Sequence, residues 1–529
     1  MRLASLDPIV FEIVKNSLIS TAEEMGVVLR RSSFSPNIKE RRDFSCALFD
    51  GAGNLVAQAE HIPVHLGAMP HAVRTVLSEF GEDIAEGDSI ILNDPFRGGT
   101  HLPDITIVSP VFQSGKLVAF AANRAHHSDI GGGTPGSMSP LSTDVYQEGL
   151  RIPPVKLTQR GKLNRPVLQM VLSNVRTPKE RLGDIRAQQA ANELGTRRFT
   201  ELARKFGIKN LLSGMRDLRN YSRRLMLAEL AKLPKGTSRA VDYLDDDGVD
   251  ERPIALRLNL TIGDGSIEFD FRGSASQTKG PVNAVYSVTL SAVYYVVRCI
   301  TEPSIPANQG CFEPVRVIAP EGTVLNARPP APVAGGNVEM SQRIVDVSLR
   351  AFSRVVPSRV CAACQGTMNN MTIGGGDNRT GQYFTYYETI AGGFGARHDK
   401  DGVDGVHSHM TNTLNTPVEA LETAYPLRVR RYELRPGSGG RGKFRGGLGI
   451  TREVEILSEE ANISILGDRQ RLRPWGLAGG SPGSAGEYFI LHQKGRFQRL
   501  PSKTSFKART GDVLRVSTPG GGGFGPVSP

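Results

Sequence analysis

Residues 93–133, NDPFRGGTHLPDITIVSPVFQSGKLVAFAANRAHHSDIGGG, are the stretch from which the rest of the chain is read. Residues 105–112 (ITIVSPVF) are β-branched and apolar and predict a strand; residues 117–122 (LVAFAA) predict a second. Between them, Gln113-Ser114-Gly115-Lys116 is a tight-turn sequence with glycine where positive φ is often needed. A two-residue Ser114-Gly115 loop makes Asp104 face Ala125 and Pro103 face His126. Cross-strand neighbours lie about 5 Å apart, so His101, Asp104 and His126 converge at the open end of one hairpin. Two imidazoles and a carboxylate, with His127 and Asp129 behind them, suit a divalent transition metal with an open position. HxxD alone is a weak signal, because His and Asp are common in polar loops. The register argument strengthens it, as does the placing of six of the ten histidines between positions 61 and 127. Pro110 cannot donate to a ladder, so its strand is expected at an edge or beside a bulge, where the register slips.

Working outward, Asp7-Pro8 supplies an N-cap and an N1 proline. Val10, Ile13, Val14, Leu18, Ala22, Met25 and Leu29 then recur at helical spacing through residue 30. Residues 45–49 and 55–58 predict a hairpin around DGAGN. Asp43, in the basic run KERRD, reads from periodicity as a salt-bridged surface acid. His61, His65 and His71 lead into a helix ending near residue 80, and residues 90–92 form a short strand that delivers Asn93-Asp94-Pro95. Residues 131–143 predict a Gly/Ser/Pro loop of the kind that walls an active site. Thr177-Pro178-Lys179-Glu180 reads as a capping box that opens a helical region to about residue 233, broken near Gly195, Gly207 and Gly214. Beyond Arg252 the pattern turns to strands, with a hairpin at Asp264-Gly265, helices over 284–302 and 340–355, and short strands with Gly-rich turns from 382 onward. The final TPGGGGFGPVSP predicts an extended tail that packs on or between subunits. These readings give an α+β class: a mixed, strand-rich, multi-layer protein with several helices and a metal site at a hairpin's open end. Three regions divide it: 1–170 around the metal site, 171–250 helical, and 251–529 β-rich.

The net charge of +11 is spread along the chain, and its densest cluster, 197–224, falls on a predicted helix as a solvated face. No nucleic-acid motif stands in its required context, so nucleic acid is excluded as a partner. Five cysteines, an odd and sparse set in 529 residues, point to a reducing compartment. Cys361-Ala362-Ala363-Cys364 has CxxC spacing without a second pair and reads as two buried thiols. The absence of a leader pattern and of an apolar run of about 18 residues predicts a cytoplasmic protein off the membrane. GSGGRGK at 437–443 approaches a phosphate-binding loop, but Phe444 stands where the Mg²⁺-coordinating hydroxyl belongs, so no nucleotide site is expected in this chain.

Six blocks in order carry a resemblance: DPIVFEIVKNSL, RRDFSCALFD, NDPFRGGTHLPDI, NVRTPKERLGDIRAQ, the long YETIAGGFGARHDKDGVDGVHSHMTNTLNTPVEALE, and YELRPGSGGRGKFRGGLG. Together they resemble the hydantoinase B/5-oxoprolinase family over essentially the whole chain. The resemblance implies the metal-dependent B-type subunit of an ATP-dependent cyclic-amide hydrolase of the hydantoinase, N-methylhydantoinase or oxoprolinase type. It implies an A-type subunit that binds ATP and phosphorylates the amide carbonyl, an A₂B₂-type assembly, and manganese or zinc in this chain. The family's metal-binding acid and His/Asp/His set match Asp43, His101, Asp104 and His126, which promotes Asp43 from surface acid to ligand. Water activated at the metal then opens the ring, with His127 or Asp129 orienting a ligand or shuttling protons. His407 and His409 are further pocket candidates. The alternatives are a subunit of an acetone or acetophenone carboxylase-like enzyme, or a non-catalytic scaffold for the ATP-hydrolysing subunit.

Overall fold

The central hairpin forms, extended at both ends of each strand relative to the sequence reading. Seven strands build its sheet: β1 (Phe44–Asp50), β2 (Leu55–Ala59), β3 (Ser89–Leu92), β4 (Asp104–Gln113), β5 (Lys116–His126), β6 (Val155–Gln159) and β7 (Lys162–Leu163), in the order β2-β1-β5-β4-β3-β6-β7. This computed structural model describes residues 6–59, 62–493, 495 and 497–527. At the turn, Ser114 (φ 51°) and Gly115 (φ 73°) both take positive φ, the geometry that matches the twist of a two-residue hairpin.

The expected register holds only next to that turn. Gln113 pairs with Lys116 and Phe112 with Leu117, but a bulge between Val111 and Phe112 moves everything beyond it by one residue. Asp104 therefore faces His126 directly, and Ala125 faces Ile105. Pro110 explains why this costs little. β4 lies inside the sheet, yet β3 pairs only with Thr106, Ile107 and Val108, so Pro110 sits past the β3 pairing and one residue from the bulge.

Alternation along β1 and β5 sends side chains to opposite layers. Cys46, Leu48, Ala119, Ala121 and Ala125 pack under the helices Pro8–Ser32, Pro178–Phe206 and Ile208–Ala231. Ala47, Phe49, Phe120 and Ala122 pack under the helix Ala68–Phe80. The Asp7 carboxylate caps the first helix through the N–H groups of Ile9 and Val10, as its sequence predicts. Thr177 makes no side-chain cap, and Glu180 instead accepts from Ser128 and Arg181, so the expected capping box is absent. The helical region breaks only at Gly207 (φ 79°). Gly195 and Gly214 lie inside helices because a Cβ there would stand 2.5 Å from Met25 Sδ and 2.8 Å from Val14 Cγ1. They are close-packing glycines where the first helix crosses, not breaks.

A second sheet of four strands (Gly236–Leu244, Ile254–Gly263, Ser266–Asp270, Val315–Ile318) packs on the helices Tyr286–Ile300 and Ser341–Phe352 in the largest core. Two further antiparallel sheets, one holding Asn370–Asp377 and Gln382–Glu388 and the other Leu427–Leu434 and Ile450–Ile456, enclose a separate core around Ile463, Tyr488 and Leu514. The described part of the C-terminal stretch packs into its own chain. Gly520–Gly523 is buried within the chain; the Gly522 N–H donates to Ala363 O at 2.8 Å, and a Cβ at Gly522 would meet Trp475 O at 2.1 Å. The 437–443 loop packs against this stretch, where the N–H groups of Gly440 and Lys443 donate to Gly521 O and Gly525 O.

Candidate functional site

Because the bulge puts Asp104 opposite His126, both side chains emerge on one face of the hairpin's open end. The turn after Gly98-Gly99 brings His101 beside them. Asp104 is the hub: its Oδ1 lies 3.1 Å from His101 Nε2 and 3.3 Å from His126 Nδ1, and its Oδ2 lies 3.6 Å from His65 Nε2. Asp104 Oδ2 also accepts from Thr100 Oγ1 (2.6 Å) and Asn337 Nδ2 (3.2 Å). All of these side chains are buried. Asp43, immediately before β1, borders the same small cavity as Asp104, His126 and Asn337, and its backbone carbonyl accepts from the His126 N–H at 3.0 Å.

Outer contacts fix the rings. His101 Nδ1 faces Ala334 O at 3.3 Å, and Ala334 N–H in turn donates to the buried Glu148 carboxylate at 3.0 Å. His65 Nδ1 pairs with Ser45 Oγ at 2.9 Å. The His126 ring stacks on Tyr387 with centroids 4.3 Å apart, while Asn37 Nδ2 holds the His126 carbonyl. Asn337 sits on a π-helical turn, Gly336–Met340, ahead of the helix Ser341–Phe352, the kind of irregularity that marks functional sites. Electrostatically, burial opposes charge on Asp104, yet the three surrounding imidazoles outweigh it and hold the carboxyl well below its ordinary range. Burial also opposes charge on His101, and the Asp104 charge and hydrogen bond outweigh it, raising the ring above its ordinary value. Burial lowers His126.

These residues fit a divalent cation. His101, Asp104 and His126 each offer a donor atom within 4.8 Å of the others, and His126 Nε2 is buried without a hydrogen-bond partner. An imidazole pair on a carboxylate suits manganese, zinc, iron or cobalt. His65, Asn337 and Tyr387 escaped the sequence reading because they come from three distant elements; the cluster of histidines at 61–71 was the only hint for His65. His61 lies outside the described residues.

His127 and Asp129 are not brought to this cluster. His127 follows the last residue of β5 and turns toward the helix Pro178–Phe206, where Nε2 meets Gln188 Oε1 at 3.0 Å; burial and Arg181 lower it to about 4. Asp129 accepts from the N–H groups of Gly131, Gly136 and Arg176 and pairs with the Arg176 guanidinium at 2.9 Å, which organises the following loop. His407 and His409 instead line a cavity of about 410 Å³ with Tyr295, Arg298 and Phe394. Ile62, His65 and Thr411 border both this cavity and the small pocket at Asp104, so the larger space adjoins the cluster through them.

A buried His/Asp cluster that could hold a metal ion, beside a larger cavity in a mixed α+β fold, defines the class. The profile of the hydantoinase B/oxoprolinase family matches residues 7–527, and the chain belongs to that family. An uncharacterised protein of Methanocaldococcus jannaschii is 43% identical over 98% of this chain and 91% of its own length. A 5-oxoprolinase of Dictyostelium discoideum is 40% identical over 98% of this chain but only 40% of its own, so the chain spans about two fifths of that relative. The B-type subunit of a putative D-/L-hydantoinase from a Pseudomonas strain is 35% identical over 99% of this chain and 90% of its own. The crystal structure of the ATP-dependent caprolactamase from Pseudomonas jessenii superposes with a TM-score of 0.92 at 30% identity, covering 99% of this chain and 92% of that one.

Proposed function

We propose that this chain is the metal-dependent B-type component of an ATP-dependent cyclic-amide hydrolase. The observation that carries the reading is the buried His101/Asp104/His126 set next to a 410 Å³ cavity, in a chain that shares its whole length with a structure of an ATP-dependent caprolactamase. Asp43, His101, Asp104 and His126 would hold a manganese or zinc ion. When bound, such an ion supplies Lewis acidity to a carbonyl or to water. The Ala334 carbonyl orients the His101 ring through Nδ1, Asn337 holds Asp104, and the stack on Tyr387 orients His126. His65 borders both cavities and links Ser45 to Asp104, so it carries protons between substrate and cluster. Ile62, Leu66 and Phe394 offer apolar wall to a ring, and Tyr295 and Thr411 offer hydrogen bonds to an amide.

ATP enters through an A-type subunit in a hetero-oligomer, a reading supported by the subunit naming of the Pseudomonas relative. The test is ring opening of hydantoin, 5-oxoproline and caprolactam by the chain together with an A-type subunit and ATP. Wild type should open at least one ring and His101→Ala none. Equal turnover by both proteins would sink the proposal.

A further inference from the structure

Outside the His/Asp cluster, the described residues hold one more group with metal-ligand chemistry: Cys361, Cys364 and His409. Their donor atoms all lie within 4.8 Å of one another, and all three residues are buried. A tetrahedral zinc with Zn–S near 2.3 Å and Zn–N near 2.1 Å separates its ligands by about 3.6–3.8 Å, so three atoms within 4.8 Å of one another are near enough to converge on one ion. From these side chains we infer a second metal site, Cys₂His, that takes a soft divalent ion such as zinc and forms part of the wall of the substrate cavity.

Three observations besides the spacing support it. His409 Nε2 is buried without a hydrogen-bond partner, as is Asp346 Oδ1, which stands 4.0 Å from it. Buried polar atoms without partners are costly and call for a reason; a cation between them supplies one, with Asp346, whose Oδ2 is paired with Arg343 and Arg469, offering its free Oδ1. The other imidazole nitrogen, Nδ1, meets the Tyr295 hydroxyl at 3.3 Å, the outer contact that fixes the tautomer of a ligating histidine. His409 also holds φ at 54°, a left-handed conformation that strains a non-glycine residue and persists where the surroundings enforce it.

The backbone keeps the CxxC segment taut. Ala362 N–H donates to Ala396 O at 2.8 Å and Ala363 N–H to Trp475 O at 3.0 Å, while the Gly395 N–H points at Cys364 Sγ at 3.3 Å. An ion here would tie the CxxC segment, the loop through Gly395 and the His409 segment together beside the cavity that His409 lines. Thiolates favour zinc, cadmium or cobalt over manganese, so the two sites differ in the metals they accept.

The experiment loads reduced, full-length chain with cobalt and reads the thiolate-to-cobalt charge-transfer absorption, in wild type, His101→Ala and the double variant Cys361→Ser with Cys364→Ser. The band should appear in wild type and persist in His101→Ala, and the double variant should lose it together with one equivalent of metal. Alkylation of the wild-type chain needs no variant to fold: zinc should protect Cys361 and Cys364, and a chelator should expose them. Identical alkylation with zinc and with chelator, no charge-transfer band in reduced protein, or a Cys361–Cys364 disulfide in freshly purified chain would each overturn the assignment. Because His101→Ala leaves this site intact, its failure is separable from failure of the catalytic reading.

Discussion

The two histidine clusters solve the burial of polar groups in opposite ways. Around Asp104 nearly every donor is answered: Thr100, His101, His126, His65 and Asn337 all converge on one carboxylate. Around His409 the thiols and the ring have few partners, and His409 Nε2 and Asp346 Oδ1 have none. The first is a charged, preorganised set assembled by a hairpin and a π-helical turn. In the second, two thiols and a ring sit beside an Asp346 carboxylate whose Oδ2 is already paired with Arg343 and Arg469, and the CxxC segment is held by backbone hydrogen bonds. The difference teaches that a site can be ordered by hydrogen bonds among its own side chains or by the fold behind it, and the two respond differently to substitution.

Asp104→Ala should produce the largest effect. It leaves three imidazoles and Asn337 without their common acceptor, and each buried group left unmet costs about 1–3 kcal/mol. Chemical denaturation should show a drop of several kcal/mol at neutral pH, with loss of manganese binding. Cys361→Ser measured without metal should cost far less, and equal losses would erase the contrast. Asn337→Ala comes next, with manganese affinity falling about 10–100-fold, the usual consequence of removing an outer partner of a ligand, measurable by calorimetric titration.

The pH response should also separate the clusters. Because Asp104 outweighs burial and holds the His101 proton, a cation must displace it, so metal affinity at the Asp104 cluster should fall as pH drops below the raised His101 value and level off above it. A smaller effect is expected at Glu148, which burial pushes from 4.5 up to about 7. The folded state then keeps a proton that the unfolded state releases, so this contribution to stability is full below 4.5 and is lost as pH rises through 7, with a slope of at most about 1.4 kcal/mol per pH unit. Glu148→Gln should flatten that decline in a series of melting curves; an unchanged slope would assign the proton elsewhere.

Much of the first sheet was legible in the sequence because its signals are local: the Asp7 cap, the Ser114-Gly115 turn and the β-branched runs act within a few residues. The bulge between Val111 and Phe112 was not, since it depends on where β3 stops pairing, and it moved Asp104 from opposite Ala125 to opposite His126. Gly195 and Gly214 misled for a related reason. Their role is set by Met25 and Val14 on a helix far away in sequence. Asp43 was visible only through family resemblance, and His65, Asn337 and Tyr387 only once distant elements met. His127, next to His126, turns to the other side of the sheet as neighbours at a strand's end do, and Asp129 is held in the following loop by the N–H groups of Gly131, Gly136 and Arg176.

The most direct test of the Asp104 cluster is manganese content after loading and desalting, in wild type beside His101→Ala, since the hard ion reads this site and not the thiols. The account predicts about one manganese per wild-type chain and almost none in the variant, with the variant still folded by circular dichroism. Equal manganese in both, or none in either, would contradict it.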